Sequence, residues 1–311
     1  MMRVLITGGA GCLGSSLVKD WCHKGYDVTV IDNFLTGSPK QIAESKGVNL
    51  IEADVNDRNY LSQVVETCRP EVVVHAAAAY KDPNDWETDV ETNISGSINL
   101  IRALKGLSCL KKIVNLQTIT CYGNPEPGLV DETHPLRPVS SYGISKVAGE
   151  SYMINSDLPV ISLRLASVTG PYLFIGPIPT FYNRLKQGRS CFCSDAKRDF
   201  LDIKDFLAFF DKVITSDVSR GVYNVASGVS NSILSVYELV ADHLGHVNGD
   251  VPIVPVADDD IAELPLDVRL AQGTFEWEPN ISFEDTIKNQ LNWYDENGVE
   301  TVRSHLKQPK S

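Results

Sequence analysis

The 311-residue chain carries 43% hydrophobic residues and a formal net charge of −12. That length suits a large α/β domain joined to a smaller one, with enough apolar mass for a full core. The acidic balance argues against sequence-independent binding to nucleic acid, and no apolar run approaches the roughly 18 residues of a membrane span.

The seven cysteines are scattered and odd in number, with no C-x-x-C pair. They read as reduced thiols, mostly small core residues. A strand begins at Arg3 with no charged leader or apolar segment before it, so the expectation is a cytoplasmic protein.

Val4-Leu5-Ile6 predicts a short buried strand. It runs into Thr7-Gly8-Gly9-Ala10-Gly11-Cys12-Leu13-Gly14, and an amphipathic helix follows with Leu17, Val18, Trp21 and Cys22 on one face. Gly8 permits the tight turn, Gly11 lets a pyrophosphate approach the backbone, and Gly14 lets helix and strand pack closely. The strand Asp27-Val28-Thr29-Val30-Ile31 ends in Asp32, 18 residues beyond Gly14. A dinucleotide site places there the carboxylate that holds the adenosine ribose, and an acid repels a 2′-phosphate, so the expected cofactor is NAD.

The alternation continues. A strand over 48–51 leads to Asp54-Val55, placed to flank the adenine, and Asp57 caps a helix bearing Leu61, Val64, Val65 and Cys68. Val72 to Ala78 forms a strand running into small residues, with Ala76 and Ala77 where a flat ligand lies against backbone. A long helix is expected from about Trp86 to Lys105, and then a strand from Lys112 ending at Gln117-Thr118. Strands alternating with helices mean a parallel doubly wound α/β sheet, the Rossmann arrangement, with ligands at the strands' carboxyl ends. In Ser140-Ser141-Tyr142-Gly143-Ile144-Ser145-Lys146 a tyrosine and a lysine share one helix face, so the ammonium can stabilise the phenolate and make Tyr142 a base.

A sixth strand covers Val160 to Leu165. Gly176-Pro177-Ile178-Pro179 then breaks the rhythm, and Phe181 and Leu185 mark a short helix. Tyr223 to Ala226 returns to the sheet, and Ser235-Val236-Tyr237-Glu238 reads as a capping box. Asp258-Asp259-Asp260 reads as a solvated loop, and His243 and His246 as helix C-terminal capping residues, so no metal is expected. The expected division is an NAD-binding domain over 1–170, to which 199–227 returns, and a substrate domain over 171–198 and 228–311.

As an ordered set, these pieces resemble the extended short-chain dehydrogenase/reductase family, in its group of nucleoside-diphosphate-sugar epimerases and dehydratases. The set comprises T-G-G-A-G-C-L-G at Thr7 to Gly14, D-N at Asp32-Asn33, D-V at Asp54-Val55 and H-A-A-A at His75 to Ala78. It continues with T-N-I-S-G-S at Thr92 to Ser97, Y-G at Tyr122-Gly123, S-Y-G-I-S-K at Ser141 to Lys146 and L-R-L at Leu163 to Leu165. G-P at Gly170-Pro171, R-D-F-L-D-I-K-D at Arg198 to Asp205 and W-E-P at Trp277 to Pro279 complete it.

The resemblance implies that Thr118, Tyr142 and Lys146 form a catalytic triad, with Tyr142 removing the proton from a sugar hydroxyl. It implies cofactor contacts at Gly8, Gly11, Cys12, Leu13, Asp32, Asn33, Asp54, Val55, Ala76, Ala77, Lys81, Asn93, Tyr142 and Lys146. Thr120, Ser167, Arg198 and Arg269 are implied on the substrate side. Two of these depart from the pattern: Ser167 replaces the usual Asn, and only acids carry charge over 258–263, where a second phosphate-binding arginine is common, leaving Arg269 to take its place. Dehydratases of the family carry an Asp-Glu pair where this chain has Ile119 and Thr120, so the implied reaction is epimerisation at C4 of a nucleotide sugar, with a UDP-sugar or UDP-uronic acid as partner. A dehydratase, a net oxidoreductase and a non-catalytic NAD-binding protein are the alternatives. A homodimer is implied through helices near Thr88 to Lys105 and Ser141 to Asn155.

Overall fold

The structure, a computed structural model, describes residues 1–79, 85–246, 251–257, 260–299 and 302. In chain order the first half runs β1 (Arg3–Thr7), α1 (Cys12–His23), β2 (Asp27–Asp32), β3 (Asn49–Glu52), α2 (Arg58–Cys68), β4 (Val72–His75), α3 (Trp86–Asp89), α4 (Gly96–Leu104), β5 (Lys112–Thr118) and α5 (Ser141–Ile154). The second half runs β6 (Val160–Leu165), β7 (Ser167–Thr169), α6 (Pro177–Lys186), β8 (Cys193–Ser194), β9 (Lys197–Asp202), α7 (Ile203–Thr215) and β10 (Gly221–Val225). It closes with β11 (Ser230–Ser232), α8 (Ile233–His243), β12 (Ile253–Val254), α9 (Arg269–Phe275) and α10 (Phe283–Asn297).

Seven strands form one parallel sheet in the order β10-β6-β5-β4-β1-β2-β3. The pleat sorts their side chains. Val4, Ile6, Val72, Val74, Val114 and Leu116 join Leu17, Trp21 and the α7 phenylalanines Phe206, Phe209 and Phe210 on one face. Leu5, Val73 and Ile113 point the other way, to Leu61, Val65, Leu100 and Met153 of α2, α4 and α5. Alternate residues thus feed two cores from one strand, and each fully buried Leu or Phe contributes about 1.5–3 kcal/mol. The strand order reverses between β1 and β4, where open α/β sheets bind their ligands.

A separate hydrophobic cluster joins α6, α8 and α10 through Phe181, Tyr182, Val236, Val240, Ile287 and Tyr294. Beside it β9 pairs with β7 and β11, and β8 with β12.

Three local expectations are corrected. The helix expected from Trp86 to Lys105 is interrupted by a π-helical stretch, Val90–Ser95, because one extra residue is accommodated where Asn93 turns inward. The capping box at Ser235 lies one turn inside α8. The N-cap is Ser232, whose hydroxyl accepts from the Ser235 amide at 2.9 Å. His243 turns from its own helix end to Asp295 on α10, with Nε2 2.7 Å from the carboxylate.

Candidate active site

The glycine-rich turn connects β1 to α1 at the sheet's switch point. Gly8 has φ +69°, and a β-carbon there would lie 2.6 Å from the Ala77 nitrogen. A β-carbon on Gly14 would lie 2.3 Å from the Gly8 carbonyl oxygen, so α1 can start only where both residues lack side chains. The N-cap, Gly11, supplies no side-chain acceptor, and the first turn of α1 holds no acid. The amides at this helix start are left for an anion. Cys12 and Leu13 are the first two residues of α1; the Cys12 thiol donates to the Pro171 carbonyl at 3.3 Å, and burial pushes it up to about 12.

A cleft opens beside this turn, lined by Gly8, Gly11, Asp32, Asn33, Val55, Ala76, Ala77 and their neighbours. The Asp32 carboxylate at its wall accepts from the Ala10 amide at 2.9 Å and the Phe34 amide at 2.8 Å. Burial pushes this carboxyl up, and the two amides pull against that shift. Asn33 donates to Asp54 at 2.7 Å, tying the ends of β2 and β3 together, and Val55 fills the space left by the missing side chain of Gly96. Asp54 and Val55 lie just past β3 rather than within it.

Asn93 reaches this region from the π-helical stretch. Its side-chain oxygen accepts from the Ala79 amide at 3.1 Å, and its nitrogen donates to the Ser145 hydroxyl at 2.9 Å. Ser145 in turn donates to the Tyr142 carbonyl at 2.9 Å. Beneath lies a buried row: the Ala77 amide on Thr7, the Thr7 hydroxyl 2.8 Å from His75 Nδ1, His75 Nε2 3.1 Å from Ser97, and the Ser97 hydroxyl donating to the Asn93 carbonyl at 2.7 Å. Burial and the nearby Lys146 hold His75 neutral, with its pKa down at about 3.

Thr118 ends β5, and its hydroxyl oxygen accepts from the Thr120 amide at 3.2 Å and lies 3.1 Å from the Thr120 hydroxyl. The 3₁₀ turn Ile119–Tyr122 follows. The first turn of α5, carrying Tyr142, presses on it: a β-carbon on Gly143 would lie 3.3 Å from the Thr120 carbonyl oxygen. Ser140 caps this turn through the Gly143 amide at 3.2 Å. Lys146 lies one turn deeper and is 6% exposed; its ammonium donates to the Leu116 carbonyl at 2.6 Å. Burial lowers its pKa to about 8, and the carboxylate of Glu150 works against that fall. Gln117 fixes the strand to the helix by donating to the Lys146 carbonyl at 2.8 Å while accepting from the Thr118 amide. Thr118, Thr120, Tyr142 and Lys146 are thus gathered at the carboxyl end of β5, one strand from the glycine turn's neighbour β4.

The substrate-side expectations are less concentrated. Ser167 opens β7 and is exposed. Arg198 lies on β9, its guanidinium 2.6 Å from Asp260 and donating to the Ile261 carbonyl at 2.6 Å. Arg269 starts α9 with a 79% exposed side chain that pairs with Asp267 at 2.5 Å. Lys81 lies outside the described residues, as do Asp258 and Asp259. Among the described residues, no cluster of three or more His, Cys, Asp or Glu side chains could hold a metal.

A family model described as the NAD dependent epimerase/dehydratase family matches residues 4–226. The chain belongs to that family. Its cofactor is NAD, and the uncapped start of α1, the two obligatory glycines and the Asp32 wall fit a pyrophosphate-linked dinucleotide. The chain is 47% identical to the Bordetella bronchiseptica enzyme WbmG, solved with NAD and UDP, over 99% of each chain with a TM-score of 0.92. It is 29% identical to a UDP-N-acetyl-alpha-D-glucosaminuronate decarboxylase of Bacillus cytotoxicus, over 94% of this chain and 98% of that protein. It is 26% identical to the UDP-glucose 4-epimerase of Mycolicibacterium smegmatis over the same shares.

Sequence reasoning quoted Thr7, Ser97 and Ser145 within motifs but gave them no partner, and it passed over Glu150. Each is a small or charged residue standing where its element's apolar pattern expects a hydrophobe. That signal marks burial with a partner but does not say which partner.

Proposed function

We propose that this enzyme is an NAD-dependent nucleoside-diphosphate-sugar epimerase acting at C4 of a UDP-sugar or UDP-uronic acid. The observation that carries the reading is the site at the end of β5. The hydroxyls of Thr118 and Thr120 meet in the turn whose Thr120 carbonyl packs against the first turn of α5, which bears Tyr142, with Lys146 one turn on, and the two residues after Thr118 offer no carboxylate. Such a site can take a proton from a sugar hydroxyl and return it, and it has no acid there to protonate a departing one. Tyr142 Oη receives the hydroxyl proton, Thr118 Oγ1 orients the same oxygen, and the Lys146 ammonium favours the phenolate. When bound, NAD supplies the two-electron oxidation and reduction that must accompany this proton transfer. Gly8, Gly11, Asp32, Asn33, Asp54, Val55, Ala76 and Asn93 would hold it, and the amides at the α1 start suit its pyrophosphate.

The elements round α6, α8 and α10, with β8, β9, β11 and β12, are read as the substrate domain. The likeness to WbmG, solved with UDP, supports a uridine nucleotide. Among the described residues no helix is long and apolar enough to cross a membrane, and a cytoplasmic homodimer is the proposed form.

The test is incubation of purified protein with a panel of UDP-hexoses and UDP-uronic acids, followed by NMR. Inversion at C4 is expected, with Tyr142→Phe slowing it by about 10²-fold or more. Loss of water would make the enzyme a dehydratase, stoichiometric NADH release a net oxidoreductase. Tight NAD with no turnover of any sugar would leave a binding protein.

A further inference from the structure

We propose that Glu150, clamped by Arg164 and Ser162, is a positioning residue that holds Lys146 as a cation behind Tyr142 without pairing with it. The idea rests on the reading of Tyr142 as a base.

Lys146 and Glu150 stand one helical turn apart on α5, and both are buried, Glu150 to 1% exposure. The Lys146 ammonium donates to a neutral carbonyl, that of Leu116, which fixes its place but leaves its charge uncompensated. A free carboxylate at Glu150 would swing toward that ammonium and draw it from the site. The clamp prevents this. Glu150 Oε1 accepts from the Ser162 hydroxyl at 2.6 Å and from Arg164 Nε at 3.3 Å, and Oε2 accepts from Arg164 Nη2 at 2.9 Å.

Arg164 is itself fixed. Its Nη1 donates to the Tyr122 hydroxyl at 2.9 Å and to the Glu132 carbonyl at 3.1 Å, and its guanidinium carbon lies 5.1 Å from the centre of the Tyr122 ring. Tyr122 donates onward to Asn224 of β10 at 2.7 Å. Tyr122 also closes the 3₁₀ turn that begins after Thr118, so one ion pair braces both the base-bearing helix and the threonine turn. In a low-dielectric interior the fixed carboxylate acts on Lys146 through its field, without a contact.

The other ionisable side chains on the packed elements do not replace it. His75 on β4 and Cys121 in the turn are held neutral by burial. Asp89 on α3 is bonded to Ser141 at the start of α5, and Glu87, Glu91, Arg102 and Lys112 lie on α3, the π-helical stretch, α4 and the first residue of β5. Removing the Glu150 charge leaves the guanidinium of Arg164 unopposed, so Lys146 gives up its proton more readily and the phenolate of Tyr142 loses its cation.

The experiment follows tyrosinate absorbance against pH in the NAD-loaded protein, each variant read against the same variant carrying Tyr142→Phe. No sugar is needed, so absence of turnover on the sugar panel does not touch the outcome. Glu150→Gln is the first variant. The pair Glu150→Leu with Arg164→Met is the second, because it removes both buried charges and leaves neither orphaned. In Glu150→Gln, where Arg164 is left unopposed, the Tyr142 midpoint is expected to rise by about one pH unit, roughly a tenfold loss of phenolate below it; in the pair, which removes both charges, it is expected to rise by less. Folded variants with an unmoved midpoint would overturn the proposal. Loss of folding in both would also overturn it, in favour of a purely structural brace.

Discussion

Lys146 carries an energetic penalty that comes with its burial, the position its proposed role behind Tyr142 calls for. Its folded pKa, about 8, lies below the ordinary 10.5, so the unfolded chain binds more protons than the native one between those values. The penalty is full below pH 8 and is relieved as pH rises toward 10.5, and it amounts to about 3 kcal/mol. Lys146→Met is therefore expected to stabilise the NAD-free protein at pH 7 by about 1–2 kcal/mol, after loss of the Leu116 hydrogen bond, while abolishing turnover. Urea denaturation of both proteins measures it, and a less stable variant would contradict it. His75 works on the acid side. Its pKa of about 3 against an ordinary 6.5 means the unfolded state takes up the proton first, so stability falls as pH drops from 6.5. Between pH 7 and pH 5 the wild type is expected to lose about 2 kcal/mol more than His75→Gln; equal losses would show that the ring titrates freely when folded.

At the scale of elements, the contact that matters is between α5 and the π-helical stretch. Gly149 lets them touch: a β-carbon there would lie 2.3 Å from the Asn93 carbonyl. Gly149→Ala is expected to push α5 outward and break the Asn93–Ser145–Tyr142 connection, costing about 1–3 kcal/mol and at least tenfold in turnover. Thermal melting and steady-state rates check both halves, and an unchanged rate would show that α5 is placed by other contacts. This is also where sequence and structure part. The glycine turn before α1, Asp32 at the end of β2 and the placing of Tyr142 and Lys146 on one helix were legible because each is a local pattern. The seven strands were legible from β-branched runs between turn signals. The π-helical stretch was not, because one inserted residue leaves the apolar period nearly intact. Ser232 and Ser235 both precede a good helix, and only the path of β11 decides which caps it. Thr7 meets His75 because β1 lies beside β4 in register, a fact of sheet order. The partners of Arg198 and Glu150 depend on segments 62 and 14 residues away, and no spacing rule spans such distances.

For the molecule as a whole, the exposed apolar residues on the outer helices of the sheet's second face call for cover. Trp86 is 65% exposed, Val90 48%, Ile144 56% and Tyr152 54%, along α3, the π-helical stretch and α5. Light scattering at micromolar concentration is expected to give twice the chain mass, and Trp86→Glu with Ile144→Glu to halve it. A monomer in the wild type would refute the dimer. Both arginines expected at the nucleotide already hold a carboxylate, Arg198 that of Asp260 and Arg269 that of Asp267. If the two receive the nucleotide as proposed, an arriving diphosphate would not add to a vacant cation; it would exchange with a resident anion released to water. The surrounding net charge of −12 repels the newcomer in the meantime. Dissolved salt weakens the resident pair, the repulsion and the new contact together. UDP affinity measured by calorimetry should thus change by no more than about twofold between low and physiological ionic strength, whereas a site built on unpaired arginines would weaken steeply.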